Sequence, residues 1–256
     1  MRLTYFSFIV ISALGLSSCS TSIKMEPEKL NKLAYTHYQL GIDALGKEGM
    51  LPKAFDELLQ SDKLRPNQPV VLNALAFAWL LRGDMKKSEG YYRKAIQHGG
   101  GALTFTNYAN LLNRLHRFPE AETYAQKALD DPRYPHQDKA FINLGDALLG
   151  QDRFEPAIHA YQQAELFNSE DPIIKFKLAH AYYQHGQLIQ AQVLYAIFLR
   201  QQPGYRPAVE ELTQAFLKTN KRQLASQTLT TFSQHTTSSM DKAWAKKQLD
   251  SINRHD

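Results

Sequence analysis

The chain has 256 residues, with 30 lysines and arginines against 25 aspartates and glutamates, a formal charge of +5. Its basic residues are scattered among acids with no Lys/Arg-rich run, which excludes the charge pattern of a nucleic-acid binder. Cys19 is its one cysteine, which excludes an intramolecular disulfide, and the length suits one or two domains.

The first element is Met1-Arg2 followed by an apolar run from Leu3 to Leu16. A short positive start, an apolar core and a small-residue cleavage zone mark a secretory signal, and the run is shorter than the ~20 residues of a membrane-spanning helix. Leu16-Ser17-Ser18-Cys19 resembles the lipobox of bacterial lipoproteins. An ordinary secreted protein would need a small residue three before the cut, where bulky Leu16 stands. Residues 1–18 are therefore expected to be a signal peptide. The resemblance implies a diacylglycerol thioether and an N-acyl chain on Cys19, and no other cofactor. Three acyl chains exceed the roughly two lipid signals that stable anchoring requires. Ser20 rather than Asp after the cysteine resembles an outer-membrane address, with the body facing the periplasm. Residues 19–33 are expected to form the lipidated N-terminus and a tether, its polar part 20–28 reaching about 30 Å.

Beyond the tether the sequence repeats. Ala76, Ala109, Gly145 and Ala179 each precede a second small residue, Ser88, Ala121, Ala157 and Ala191, by twelve positions. Large residues recur around them at helical spacing. This pattern resembles the tetratricopeptide repeat, a 34-residue helix–turn–helix unit in which small residues let the two helices approach closely. Six units start near Ala34, Pro69, Ala102, Asp138, Pro172 and Arg206 and fill residues 34–235. The first carries an extra residue in its turn, around Gly46–Pro52, and the sixth is the weakest match. Residues 236–256 are expected to hold a capping helix, Met240 to about Ile252, over the open end of the stack. No strand pattern appears. The fold expected is all-α, a tetratricopeptide-repeat superhelical solenoid of about six repeats plus a C-terminal capping helix.

No catalytic or metal-binding constellation emerges. The nine histidines are scattered, His180 and His185 are misplaced for one helical face, and Gly99-Gly100-Gly101 lacks the lysine and preceding strand of a phosphate loop. Enzyme activity is not expected. What remains is a surface. In this repeat the concave face is lined by positions 2, 5, 9 and 12 of each first helix. Those positions hold Tyr38, Ile42, Phe77, Leu80, Asn110, Asn113, Ile142, Phe176 and Tyr183 among others. The lining is apolar and aromatic for a surface, as at binding sites, although tight curvature could equally bury several of these residues. Asn110 and Asn113, one turn apart, are candidates to hydrogen-bond a partner's backbone.

A closer resemblance rests on Arg117-Phe118-Pro119-Glu120-Ala121-Glu122 and Ala140-Phe141-Ile142-Asn143-Leu144-Gly145. Between them lies a two-residue insertion within Asp130-Asp131-Pro132-Arg133-Tyr134-Pro135. The chain is similar to the PilF/PilW/Tgl family of type IV pilus biogenesis and stability lipoproteins, the pilotins of the secretin pore. The resemblance implies an outer-membrane scaffold, monomeric before partner binding, that binds secretin subunits and promotes their localisation and multimerisation. Another periplasmic adaptor, recruiting peptidoglycan hydrolases or outer-membrane assembly factors, is the alternative.

Overall fold

A computed structural model describes residues 26–254, which form thirteen α-helices and no strand. Residues 1–25, with the signal and Cys19, lie outside the described residues. In chain order the helices are α1 (Pro27–Leu45), α2 (Leu51–Leu64), α3 (Pro69–Leu81), α4 (Met85–Gln97), α5 (Ala102–Arg114), α6 (Phe118–Leu129) and α7 (Gln137–Leu149). They continue as α8 (Phe154–Phe167), α9 (Pro172–Gln184), α10 (Leu188–Gln201), α11 (Arg206–Lys218), α12 (Arg222–His235) and α13 (Ser239–Asn253). Each odd helix packs on the even helix after it, and each pair stacks on the next. This is a tetratricopeptide-repeat solenoid of six helix pairs and an end helix.

The small residues make the pairing possible. Gly41, Ala76, Ala109, Gly145, Ala179 and Thr213 occupy one register position on the first helices, and all are buried. Ala54, Ser88, Ala121, Ala157, Ala191 and Ala225 face them from the second helices at 0% exposure. A Cβ added at Gly145 would lie 2.5 Å from the Tyr161 ring, and one at Gly41 would lie 2.7 Å from Leu58. Close packing leaves no room for such an atom. Size rather than polarity is selected here, so Ser88 and Thr213 fit, yet their hydroxyls find no hydrogen-bond partner.

The turn inside each pair is also repeated. Gly49, Gly83, His116, Asp152, Gly186 and Asn220 all have φ between 56° and 85°. The left-handed region suits glycine and tolerates Asn, Asp and His better than other residues, and only those four types appear.

A polar ladder links units four to six. Asp146 Oδ1 accepts from the buried Tyr161 hydroxyl at 2.6 Å and from Lys177 Nζ at 2.6 Å. Thus two helices of unit four are tied to α9 of unit five. One unit on, Glu211 takes the Tyr195 hydroxyl and also bonds His180 Nδ1 at 2.9 Å, with acid and base exchanged between the two outer positions. Burial raises the pKa of both tyrosines, and each neighbouring carboxylate raises it further. In unit two Phe77 stands where Asp146 and His180 stand, so the Tyr92 hydroxyl is buried without a partner.

One boundary differs from the sequence reading. α1 begins at Pro27, seven residues before the expected start of the solenoid at Ala34. Proline at a first helical position has a suitable φ and lacks only an amide that would be unpaired anyway. The cap spans Ser239–Asn253. Ser238 Oγ accepts from the Asp241 amide, Ala245 and Ile252 are buried, and Trp244 meets Phe232 edge-on at 5.7 Å.

Gly145→Ala is expected to destabilise the protein by about 1–3 kcal/mol through overpacking. Tyr92→Phe should change stability by less than about 0.5 kcal/mol or raise it, whereas Tyr161→Phe should cost about 0.5–1.5 kcal/mol, since only Tyr161 loses a hydrogen bond. Urea melts followed by circular dichroism read all three, and a cost for Tyr92→Phe equal to that of Tyr161→Phe would contradict the ladder.

Candidate interaction surface

The first helices of successive units line one side of the superhelix, α1 beside α3, α3 beside α5 and α5 beside α7. The concave face they form is not uniform. Its N-terminal half is apolar and open: Tyr35 is 63% exposed, Val70 49%, Leu103 43%, Ile42 39% and Phe77 38%. Tyr38 is half-buried beside Tyr35, ring centroids 6.2 Å apart, and burial raises its hydroxyl pKa.

The central part is polar. A cleft of about 580 Å³ runs across units three to five, and its lining includes Asn110, Arg114, His116, Asp146, Lys177 and His180, with Phe118 and Phe154 at one side. Lys177 is neutralised on Asp146 and His180 lies on Glu211. Arg114 Nε donates to Asn110 Oδ1 at 3.1 Å.

The expected groove residues separate into three groups. Ile42 and Phe77 are open. Leu80 and Ile142, each 8% exposed, are core. Leu80 packs with Tyr108 and Leu111 of the next unit and Ile142 with Ala164 and Ile174, because neighbouring units close over both positions. Phe176 is also largely packing: its ring lies 5.1 Å from that of Tyr205 and 5.4 Å from that of Phe198. Tyr183 is half-buried under Lys218, whose Nζ sits 4.7 Å from the ring centroid.

Asn110 and Asn113 have internal partners. Asn113 Nδ2 donates to the Asn143 carbonyl at 2.9 Å, and Asn110 Nδ2 makes a long contact of 3.4 Å with Asn143 Oδ1. Asn143 in turn donates to the Thr106 carbonyl at 2.9 Å, and Asn107 Nδ2 to Asn73 Oδ1 at 3.1 Å. These amides join units two, three and four to one another. The inserted Asp130–Pro135 loop is likewise structural on its inner side: Tyr134 is buried against Ala128 and Ala140.

Sequence reasoning missed Arg114, His116, Lys177, Phe118 and Phe154. None sits at positions 2, 5, 9 or 12, and His116 enters the cleft from the left-handed turn at φ 56°. That turn position recurs every unit and is the one signal that could have found it. Among the described residues no helix is long and apolar enough to cross a membrane, and no three His, Cys, Asp or Glu are grouped to hold a metal ion.

No family model matches the chain. Over 170 residues, 64% of the chain, it is 26% identical to cellulose synthase operon protein C of Pseudomonas fluorescens (strain SBW25), and it spans 13% of that protein's length. Among solved structures it is similar to PilF of Pseudomonas aeruginosa, with a TM-score of 0.74, 19% identity, and coverage of 86% of this chain and 99% of that one. It is similar also to PilW, described as a widely conserved type IV pilus biogenesis factor, with a TM-score of 0.77, 19% identity, and coverage of 86% and 98%. YrrB, a tetratricopeptide-repeat protein with an unusual peptide-binding site, matches at a TM-score of 0.57 and 19% identity over 74% of this chain and 97% of its own. At these identities the likeness is one of fold, and the fold is the tetratricopeptide-repeat solenoid.

Phe77→Asp is expected to leave helicity intact and to shift the melting temperature by no more than about 2–4 °C, since the ring is open. Phe176→Asp should lose about 3–5 kcal/mol, as for a packed aromatic. Thermal melts by circular dichroism distinguish them, and equal losses would place Phe77 in the core.

Proposed function

We propose that the protein is an outer-membrane lipoprotein scaffold that binds secretin subunits and promotes their outer-membrane localisation and multimerisation for type IV pilus biogenesis. The observation that carries this reading is the correspondence with PilF and PilW across nearly their whole lengths, 99% and 98%. The lipobox at Leu16–Cys19 and the inserted Asp130–Pro135 segment, from the sequence, support it further.

The physical logic is effective concentration. A binder held at a membrane turns partner capture into a local event. With α1 starting at Pro27, only residues 20–26 separate the lipid-bearing Cys19 from folded helix, and seven residues reach at most about 25 Å. The open apolar half of the concave face, with Ile42 and Phe77, is the half nearest the anchor. It offers an apolar segment of the secretin a surface that the pore's subunits would present before they assemble.

A second reading, an adaptor in another envelope process, has the relative from a cellulose synthase operon in its favour. One deletion strain separates the two. The pilus reading expects loss of heat-resistant secretin multimers and of surface pili, both restored by the wild-type gene. It expects Cys19→Ala protein to fold and bind subunits but to leave the multimers in the wrong membrane. Normal multimers and pili in the deletion strain would overturn it, and altered envelope polysaccharide or muropeptides alongside them would favour the adaptor.

A further inference from the structure

The convex side carries a groove of its own at the end of the solenoid remote from Pro27. It has a volume of about 410 Å³ and lies between α10 and α12, with α11 beneath. Val209, Leu212 and Phe216 form its floor, and Leu199 and Leu224 stand on its walls. These floor residues lie on the face of α11 turned away from the concave side, so the groove is separate from the surface described above.

Three observations say what it fits. First, α10 is apolar on both sides. Tyr195 and Phe198 are buried inward, Ala196 and Leu199 line the groove, and Ile189 and Val193, 54% and 56% exposed, border a separate hollow on the α8 side. A helix apolar all round is normally covered. Second, α10 and α12 contain no Asp or Glu, whereas α2, α4 and α6 all do. Third, Arg200 and His235 both line the groove, in the last turns of these two parallel helices, and so mark the same end of it. Arg200 makes no ion pair or hydrogen bond among the described residues. His235 Nδ1 lies 2.8 Å from the Thr231 carbonyl, which leaves Nε2 toward solvent.

We propose that this convex groove docks a helix of a protein partner, apolar on the face that meets Leu199, Phe216 and Leu224 and acidic at the end that meets Arg200 and His235. A helix suits the slot because its wall on α12 runs from Leu224 to His235, about three turns, and because no strand edge is present among the described residues to pair with extended chain. The fixed charge of Arg200 at one end sets the guest's direction. A second copy of the chain is disfavoured by the same charge. Its own uncovered apolar helix, α10, would bring Arg200 rather than a carboxylate. Pro27, the start of α1, stands at the opposite end of the stack. The inference does not rest on the pilus reading and survives its failure.

The test uses the mature lipidated protein in nanodiscs and two fluorescein-labelled, lactam-bridged 14-residue helical peptides. Both carry leucines at i, i+3, i+7 and i+10, and they end in Glu-Glu or Lys-Lys. Anisotropy against empty nanodiscs should show the Glu-ended peptide binding at least tenfold tighter. Arg200→Glu should reverse the order, and Thr231→Arg, which plugs the slot from an exposed position, should abolish binding of both. Gln227→Arg serves as a second plug should Thr231→Arg lose helicity. Equal binding of the two peptides, or binding unaffected by either plug, would overturn the proposal. So would a protein that sediments as a dimer and becomes monomeric on plugging.

Discussion

The contact between small residues on the paired helices is the constraint from which the rest follows. Ala76 on Ser88, Ala109 on Ala121, Gly145 on Ala157 and Ala179 on Ala191 bring helix axes close enough for backbone to approach backbone. Once that distance is set, the large residues beside it have one place to go. Tyr92, Tyr161 and Tyr195 lie against the small residues and reach toward the next unit. Their hydroxyls then need partners, which Asp146 and Glu211 supply and which unit two, with Phe77, does not. The same spacing imposes a left-handed turn residue once per unit. Local contact, turn and inter-unit ladder thus propagate one geometric decision through a fold in which each unit touches mainly its neighbours.

Function is a consequence of what that geometry leaves uncovered. Replacing a polar partner by Phe77 leaves a hydroxyl unsatisfied but gives the concave face an exposed ring. Together with Tyr35, Ile42, Val70 and Leu103 it makes an apolar strip, while the centre of the same face is occupied by the Asp146–Lys177 and His180–Glu211 pairs. An apolar strip can gain free energy from burial against a partner. Internally paired polar groups contribute little to affinity but exclude partners that would strand them. The two halves therefore differ in chemistry, one open and apolar, the other polar and internally paired.

The repeats were legible because they depend on residue size at constant spacing, which a sequence displays directly. The twelve-residue interval and the capping helix could be read without coordinates. Exposure could not. Positions 2, 5, 9 and 12 name a side of a helix, but the superhelix decides whether that side meets water. Leu80 and Ile142 are closed over by neighbouring units, Phe176 is taken up by Phe198 and Tyr205, and Ile42 and Phe77 remain open. Asn110 and Asn113 were visible as polar residues one turn apart, but their partner Asn143 lies 30 or more residues away. The start of α1 was missed because the repeat template begins at its own first position and carries no information on a helix extended backward to Pro27.

The central claim is that the apolar half of the concave face captures secretin subunits. Its most direct measurement is site-specific photocrosslinking in cells, with benzoylphenylalanine in place of Phe77 in the otherwise intact protein. The account predicts a covalent adduct with the monomeric secretin subunit, reduced at least tenfold when Ile42→Asp is added. An abundant, properly localised protein that forms no secretin adduct from Phe77, or one that Ile42→Asp leaves unchanged, would contradict it.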